Sequence, residues 1–226
     1  MESVLKKYTT RYPLSTAWLR RQRRVGAAVL ACLLVALSVT WLLGPATPAN
    51  LAHANALQLA HLHDAWAKGE VIVLVRHAER CDHSSAQCLG QPDGITVRGM
   101  QSASNVAPYW QRMNLATTDI YTSPMTRAEQ TAHYMFGQAN TAQDWLSTSC
   151  SKSMMQTVLA HKTNQRNLIV VTHSECIARF ERSLELSDSD EPGYGSALFV
   201  TVNSQDESVA PLGRINAEDW NKVIHN

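Results

Sequence analysis

Apolar residues occur along this chain in two patterns, short continuous runs and longer stretches in which they recur every three or four positions. Short runs bounded by polar residues are typical of buried strands, and the longer spacing is typical of helices with one buried face. The predicted strands are 70–75, 119–122, 167–171 and, as the last one, 195–202, and the predicted helices are 51–68, 96–113, 125–136, 149–160 and 174–186. Strands that alternate with helices predict an α/β fold, a three-layer sandwich around a mainly parallel central sheet.

The apolar segment 25–44 differs from the others because it contains no charged residue over 20 positions. A helix of this length spans the hydrocarbon core of a bilayer, about 30 Å thick. Four arginines lie just before it, within 20–24, and such a cluster keeps the N-terminus in the cytoplasm. We predict a cytoplasmic segment 1–24, one transmembrane helix at 25–44, a linker and helix at 45–68, and an exported domain at 69–226. A cleaved signal peptide is the alternative, and it would leave a soluble periplasmic protein.

Charge is distributed unevenly around a formal net charge of +1. Residues 1–24 carry seven basic side chains and one acidic one, and the rest of the chain carries 13 basic and 18 acidic side chains. A nucleic-acid-binding domain carries its basic patch on the folded part of the chain. The acidic body therefore argues against a nucleic-acid partner, and the basic N-terminus is explained by the membrane.

Four of the five cysteines fall in the part of the chain predicted to be exported. Disulfides form in exported proteins, and an even number of cysteines permits complete pairing. Cys81 and Cys88 are close enough in sequence to tie the loop 81–94, and Cys150 and Cys176 can then pair across the sheet. Four free thiols are the alternative, whereas a zinc site is disfavoured because neither pair has C-x-x-C spacing.

Candidate chemistry lies at the carboxyl ends of three predicted strands. Arg76 and His77 follow the first strand, Arg127 lies near the start of the helix after the second, and His173 follows the third. Ligands of open α/β sheets bind at this edge. A guanidinium group fits phosphate oxygens, and a neutral imidazole can act as a nucleophile. These side chains therefore predict phosphoryl chemistry on a histidine.

The motifs at these strand ends resemble those of the histidine phosphatase superfamily, the clan of phosphoglycerate mutases and acid phosphatases. The string R-H-A-E-R-C-D begins at Arg76, S-P-M-T-R-A-E-Q-T-A begins at Ser123, and T-H ends at His173. The resemblance covers about residues 69–205. It is closest to membrane-linked phosphatases of this family assigned to heptose phosphate of the lipopolysaccharide core, which share the basic N-terminus, the hydrophobic segment and similarly placed cysteines.

The resemblance implies a role for each site residue. His77 attacks phosphorus and becomes a phosphohistidine, which water then hydrolyses. Arg76, Arg80 and Arg127 hold the phosphoryl oxygens, and His173 donates a hydrogen bond to them. Because these groups supply the positive charge, we expect neither a metal ion nor a cofactor.

Two features depart from the pattern of the family. Ala78 stands where the family has glycine, and its Cβ narrows the backbone conformations open to this loop. The general acid is the second departure, because Ser174 stands where acid phosphatases have aspartate after the second histidine. The candidates for this acid are Glu79, Glu175 and Asp144.

Together these patterns predict a single-span protein of a bacterial inner membrane whose periplasmic domain hydrolyses a phosphomonoester on a heptose of the lipopolysaccharide core. A membrane tether suits a substrate that is itself anchored. Two alternatives stay open, a periplasmic phosphatase of broad specificity for small sugar or nucleotide phosphates, and a pseudoenzyme that binds phosphate without turnover. The undecided acid favours the pseudoenzyme, and the intact set of histidines and arginines argues against it.

Overall fold

The computed structural model describes residues 16–42, 46–137, 141–147, 150, 153–187, 191–203 and 208–223. Predictions that fall on the other residues, including most of the cytoplasmic segment 1–24 and the first part of the helix at 149–160, lie outside this description. The chain divides into two compact units, Met1–Gly44 and Pro45–Asn226.

The first unit contains one long helix, α1 (Thr16–Leu42). Its side chains from 25 to 38 are all exposed. Within the described parts of the chain, no helix is both long enough and apolar enough to cross a membrane. The anchor at 25–44, whose last two residues lie outside the described ranges, therefore stays a prediction.

The second unit is built from six further helices and six strands within its described residues. The helices are α2 (Ala56–Ala67), α3 (Val97–Arg112), α4 (Thr126–Phe136), α5 (Met154–Ala160), α6 (Ser174–Ser183) and α7 (Trp220–Val223). The strands are β1 (Val71–Arg76), β2 (Thr118–Thr122), β3 (Thr141–Ala142), β4 (Asn167–Thr172), β5 (Ala197–Val202) and β6 (Val209–Ile215).

The strands form one sheet in the order β3-β2-β4-β1-β5-β6. The first four run parallel, and β5 and β6 are antiparallel to their neighbours. The sheet is mixed but mainly parallel, which confirms the predicted α/β class. Arg76 pairs with Thr172 and Thr122 with Val171, so the carboxyl ends of β1, β4 and β2 lie side by side.

Helices cover both faces of the sheet, because successive residues of each strand point to opposite sides. Val71, Val73 and Val75 of β1 belong to one buried cluster with α2, α3, α4 and α7. Ile72 and Leu74 belong to a second cluster with α5 and α6. Each face is thus buried against its own helices, and the domain has three layers.

The single helix predicted at 51–68 was wrong in one respect, because the structure divides it. A 3-10 turn covers Leu51–His53, and α2 starts only after Asn55. The Asn55 side chain accepts a hydrogen bond from the amide of Gln58 (3.0 Å), and the Gln58 side chain accepts one from the amide of Asn55 (2.9 Å). Such a reciprocal cap fixes a helix start.

The strand at 195–202 is not the last one, since β6 follows it and forms the edge of the sheet. Pro211 and Gly213 lie within β6, and both residues weaken a strand prediction.

The helix predicted to reach residue 186 ends at Ser183, because Glu185 adopts a left-handed conformation with φ of 58°.

The predicted cysteine pairs are confirmed. Cys81 pairs with Cys88 and Cys150 with Cys176, with Cα–Cα distances of 5.4 and 5.2 Å. The first pair closes the loop after β1, and the second ties the first turn of α6 to the segment before α5. Both pairs therefore brace segments that lead into or out of the predicted site.

Candidate active site

The carboxyl ends of β1, β4 and β2 bring the predicted residues together. The amide of His77 donates to the carbonyl of Thr172 (2.9 Å), and the amide of Ser123 donates to the carbonyl of Val171 (2.9 Å). The rings of His77 and His173 are 5.3 Å apart. The convergence expected from the strand order is therefore present.

His77 is buried and presents one nitrogen without a proton. Its Nδ1 lies 2.8 Å from the carbonyl oxygen of Ala78, and a carbonyl can only accept. The proton of the neutral ring therefore sits on Nδ1, and Nε2 keeps its lone pair. Burial lowers the pKa of His77 to about 3, and the charges of His173, Arg127 and Arg76 add to the effect, while the bond to Ala78 opposes it.

Arg127 is the cation closest to this lone pair, with its Nε 3.3 Å from Nε2 of His77. It lies near the start of α4, is buried, and places Nη2 3.4 Å from Nδ1 of His173. Burial is the main cause of the lowered pKa of Arg127. The guanidinium therefore bridges the two histidines at the point where an anion would be held.

His173 is oriented by Ser123, whose hydroxyl lies 2.9 Å from Nε2. A hydroxyl can donate or accept, whereas a guanidinium can only donate, so Nδ1 accepts from Arg127 and the ring proton sits on Nε2, which donates to Ser123. Burial lowers the pKa of His173 to about 4, with the charge of Arg127 acting in the same direction and that of Glu175 against it. Both histidines are thus neutral near pH 7.

Thr131 connects the first motif to the helix that carries Arg127. Its hydroxyl accepts from the amide of Ala78 (2.8 Å) and donates to the carbonyl of Arg127 (2.7 Å). The residue is buried. One hydroxyl therefore fixes the nucleophile loop against the first turn of α4.

Arg76 lies at the end of β1 and contacts the segment before β5. Its Nη2 lies 2.9 Å from the Glu191 carboxylate, its Nη1 donates to the carbonyl of Pro192, and its guanidinium carbon lies 4.1 Å above the ring of Tyr194. Its Nε is buried and has no hydrogen-bond partner within the described residues. The same tyrosine ring is 5.7 Å from that of His77.

Arg80 forms an ion pair with Asp82, which raises the pKa of this arginine and lowers that of the aspartate. The charge of Arg80 also lowers the pKa values of Arg127 and His173, after burial as the main cause. Arg80 is therefore near enough to contribute charge to the site, although Asp82 shares its guanidinium.

The three candidate acids have different surroundings. The carboxylate of Glu79 pairs with Arg98 and accepts hydrogen bonds from Thr96 (2.8 Å) and Ser84 (3.1 Å). Arg98 is the main cause that lowers its pKa to about 2, with Thr96 and Ser84 adding to it. The Glu79 carboxylate is thus ionised, and both of its oxygens are bound by side chains of the segments that follow β1.

Glu175 lies exposed in the first turn of α6, and its charge acts on His173, Arg80 and Arg127. Asp144 is also exposed and begins the 3-10 turn Asp144–Leu146 after β3. Among these three carboxylates, Glu175 is the one whose charge acts on His173.

Sequence reasoning assigned no role to four residues that shape this site, namely Ser123, Thr131, Glu191 and Tyr194. The first two stand inside a quoted motif, where a hydroxyl beside a predicted ligand was a usable signal. The other two follow α6 in a segment without periodicity, which carries no such signal. No group of three or more potential metal ligands is found among the described side chains.

Comparison with known proteins agrees with the geometry. The family model of the histidine phosphatase superfamily (branch 1) matches residues 72–145. This range contains His77 and Arg127 but ends before His173. The structure brings His173 to these two residues because β4 lies between β1 and β2 in the sheet.

Curated relatives are named lipopolysaccharide core heptose(II)-phosphate phosphatase, among them those of Escherichia coli strains SE11 and 55989. Each is 32% identical over 134 residues, which cover 58% of this chain and 66% of the relative. The match therefore spans slightly less than two thirds of the length of these relatives.

Solved structures share the fold at low identity. A phosphoserine phosphatase from Entamoeba histolytica in complex with phosphoserine and the protein histidine phosphatase SixA complexed with tungstate both have a TM-score of 0.52, at 16% and 14% identity. Each comparison covers 66% of this chain and 98% of the other. The motifs, the family model and the curated relatives all place the similarity of this chain in the histidine phosphatase superfamily, and these solved structures share its fold.

Proposed function

We propose that this chain hydrolyses phosphomonoesters through a phosphohistidine at His77. The observation that carries the proposal is the hydrogen bond from Nδ1 of this buried ring to Ala78, which leaves the Nε2 lone pair beside Arg127. A nucleophile must be unprotonated at the attacking atom. The pKa of about 3 keeps it so throughout the physiological range.

In the first step the lone pair of Nε2 forms a bond to phosphorus, and the bond from phosphorus to the ester oxygen breaks. The electron pair leaves on the alcohol oxygen, which takes a proton from the general acid. In the second step water forms a bond to phosphorus and gives a proton back to that acid. The phosphorus–nitrogen bond then breaks, which releases phosphate and restores neutral His77.

The charge on the phosphoryl oxygens is met by protein groups in this mechanism. Arg127 contacts both histidines, and the buried Nε of Arg76 has no other partner among the described residues. Arg80 adds charge, and once the phosphoryl group takes the hydrogen bond of Arg127, Ser123 donates to Nε2 of His173 and the ring donates from Nδ1. Preorganised donors of this kind stabilise the transition state without a metal ion.

We assign the general acid to Glu175. It is exposed, so a proton can reach it from solvent, and its charge acts on His173 and Arg127. Glu79 is the weaker candidate, because Arg98 and two hydroxyls hold it ionised with a pKa of about 2. An acid must carry a proton at the working pH to protonate a leaving group.

The proposed substrate is a phosphorylated heptose of the lipopolysaccharide core. The names of the relatives support it, as does the proposal that residues 25–44 anchor the chain in a bacterial inner membrane with its domain in the periplasm. The two cysteine pairs fit an oxidising compartment. A soluble periplasmic form after signal cleavage remains the alternative.

The test is phosphate release by the full chain, purified in detergent with EDTA present. Para-nitrophenyl phosphate and phosphorylated lipopolysaccharide core serve as substrates, and His77→Ala serves as the control. We expect turnover that falls about 1,000-fold or more in the variant, and a preference for the core substrate. Equal activity on both substrates would favour a broad phosphatase, and no turnover by a folded, oxidised chain would favour a pseudoenzyme.

The membrane proposal has its own test. A green fluorescent protein fused to the C-terminus should stay dark in cells if the domain is exported, and the chain should remain in the membrane fraction after alkaline extraction. The variant Leu33→Arg Leu34→Arg, which places charges within the apolar segment, should lose membrane retention. A fluorescent fusion would contradict export.

A further inference from the structure

A cleft of about 580 Å³ opens beside the phosphate site. Its lining residues include Thr47, Asn50, Glu191, Tyr194, Asn216 and Glu218. Two of them also contact the site, because Glu191 pairs with Arg76 and the ring of Tyr194 lies under the guanidinium of that arginine. The volume lies within the range of small-molecule sites, roughly 300–1,000 Å³.

Main-chain hydrogen bonds hold the walls of the cleft together. The segment before α2 runs beside β6, where Asn50 pairs with Arg214 in a bridge and the amide of Arg214 donates to the carbonyl of Ala49 (2.7 Å). The floor is the segment before β5, where the amide of Gly195 donates to the carbonyl of Arg76 (3.1 Å). The cleft and the phosphate site are thus joined by main-chain hydrogen bonds.

The lining groups are hydroxyls, amides and carboxylates together with one aromatic ring. Asn50, Asn216 and Glu218 can each hydrogen-bond a ligand, and Tyr194 offers apolar area beside them. A sugar ring needs this combination, since its hydroxyls require dense hydrogen bonding and its C–H face packs against an aromatic ring.

The charges in the cleft restrict the ligand further. Glu191 and Glu218 are both exposed carboxylates, of which Glu191 pairs with Arg76, and the lining cation Arg214 forms an ion pair with the fully buried Glu181. A second phosphate placed here would meet like charge. The cleft therefore suits a neutral ring.

We infer that this cleft binds the alcohol part of the phosphoester, a neutral polyhydroxylated sugar ring whose phosphate reaches His77 past Tyr194. The inference rests on the proposed function and names the part of the molecule that selects the substrate. Tyr194 contributes to both halves of the site, so the sugar and the phosphate are recognised on its two sides.

The test fills the cleft. In the full chain, Thr47→Trp places a large side chain on an exposed lining position, and Thr117→Trp makes the same change at an exposed position just before β2, at the opposite end of the sheet. The quantity measured is kcat/KM for mannose phosphate divided by kcat/KM for para-nitrophenyl phosphate, whose flat ring needs less of the cleft. We expect this ratio to fall about tenfold in Thr47→Trp and to stay the same in Thr117→Trp.

A second variant, Glu218→Lys, exchanges a repelling charge for an attracting one. It should raise kcat/KM for fructose bisphosphate relative to mannose phosphate about fivefold. Unchanged ratios in both cleft variants would overturn the inference while leaving the proposed function intact. Absence of turnover of para-nitrophenyl phosphate by the unmodified chain would overturn the proposed function and the inference with it.

Discussion

The two ends of the central sheet use their polar groups in opposite ways. At the carboxyl end, two neutral histidines and the Nε of Arg76 are buried with hydrogen-bonding capacity left over. At the other end a larger cavity, about 910 Å³, is lined by residues that include Lys68 and Lys162. There Nζ of Lys162 donates to the carbonyls of Gly69 (2.7 Å) and Thr163 (3.0 Å). The carboxyl end is thus distinguished by the unused hydrogen-bonding capacity of its imidazole and guanidinium groups rather than by the larger volume.

The largest test of this comparison removes one arginine from each end. Arg127→Ala should lower kcat/KM about 100- to 1,000-fold, because the guanidinium beside Nε2 of His77 has no substitute. Arg166→Ala removes an arginine that pairs with Asp119 (2.8 Å) at the amino ends of β4 and β2, and it should change activity less than about twofold. Steady-state kinetics on para-nitrophenyl phosphate decides, and equal losses would mean that the two ends are not functionally distinct.

The next test separates the two carboxylates of the carboxyl end. Glu175→Gln should lower kcat for an alkyl phosphate about 10- to 100-fold and that for an aryl phosphate much less, because only the poorer leaving group needs a proton. Glu79→Gln should instead lower the Tm, because Arg98 loses its partner. An equal loss on both substrates in Glu175→Gln would rule out its role as the acid.

Moderate acid tests the buried histidines. Burial lowers the pKa of His77 to about 3 and that of His173 to about 4, from an ordinary value of 6.5. Between pH 6.5 and these lowered pKa values, the unfolded chain binds more protons than the folded one. The free energy of unfolding is therefore highest above pH 6.5 and decreases as the pH falls toward 4. We expect the Tm to fall by about 5–10 °C between pH 7 and pH 5, as measured by calorimetry.

His173→Gln is the control for this measurement and should flatten the dependence. Glu79 does not contribute to a fall in Tm between pH 7 and pH 5. Its pKa is lowered from 4.5 to about 2, so its contribution to stability is lost only below pH 4.5. A Tm that stays constant from pH 7 to pH 5 would contradict the burial of neutral histidines.

The smallest expected effect concerns the opposite end. Lys162→Met removes the two hydrogen bonds to main-chain carbonyls and should lower the free energy of unfolding by about 1 kcal/mol. Activity should stay within about twofold, since the change is remote from the phosphate site. Urea unfolding and the aryl phosphate assay measure the two quantities, and a large loss of activity without a loss of stability would give the second cavity a functional role.

Much of the fold could be predicted because its signals are local. β1 and β4 are continuous apolar runs, and Thr96 caps α3 through a hydrogen bond from the amide of Gly99 (2.9 Å), as expected. β3 has two residues and β6 contains a proline and a glycine, so neither carries a strand pattern. Their place in the sheet is decided by neighbouring strands, which a single sequence does not display.

The site divides in the same way. The residues at strand ends were predictable because strand order places them on one edge of a parallel sheet. The contacts of Arg76 with Glu191 and Tyr194 were not, because they join positions more than 100 apart through a loop without periodicity. The ion pair between Arg98 and Glu79 was not predictable either, since only the packed loop brings these two side chains together.

The hydroxyl of Thr131 has a consequence for how this sequence can vary by descent. It accepts from the amide of Ala78, 53 positions earlier in the chain, and donates to the carbonyl of Arg127. A valine would fill the same space but leave the amide at position 78 without an acceptor in buried surroundings. Since every residue except proline keeps that amide, we expect a hydroxyl-bearing side chain at position 131 among relatives, whatever side chain stands at position 78.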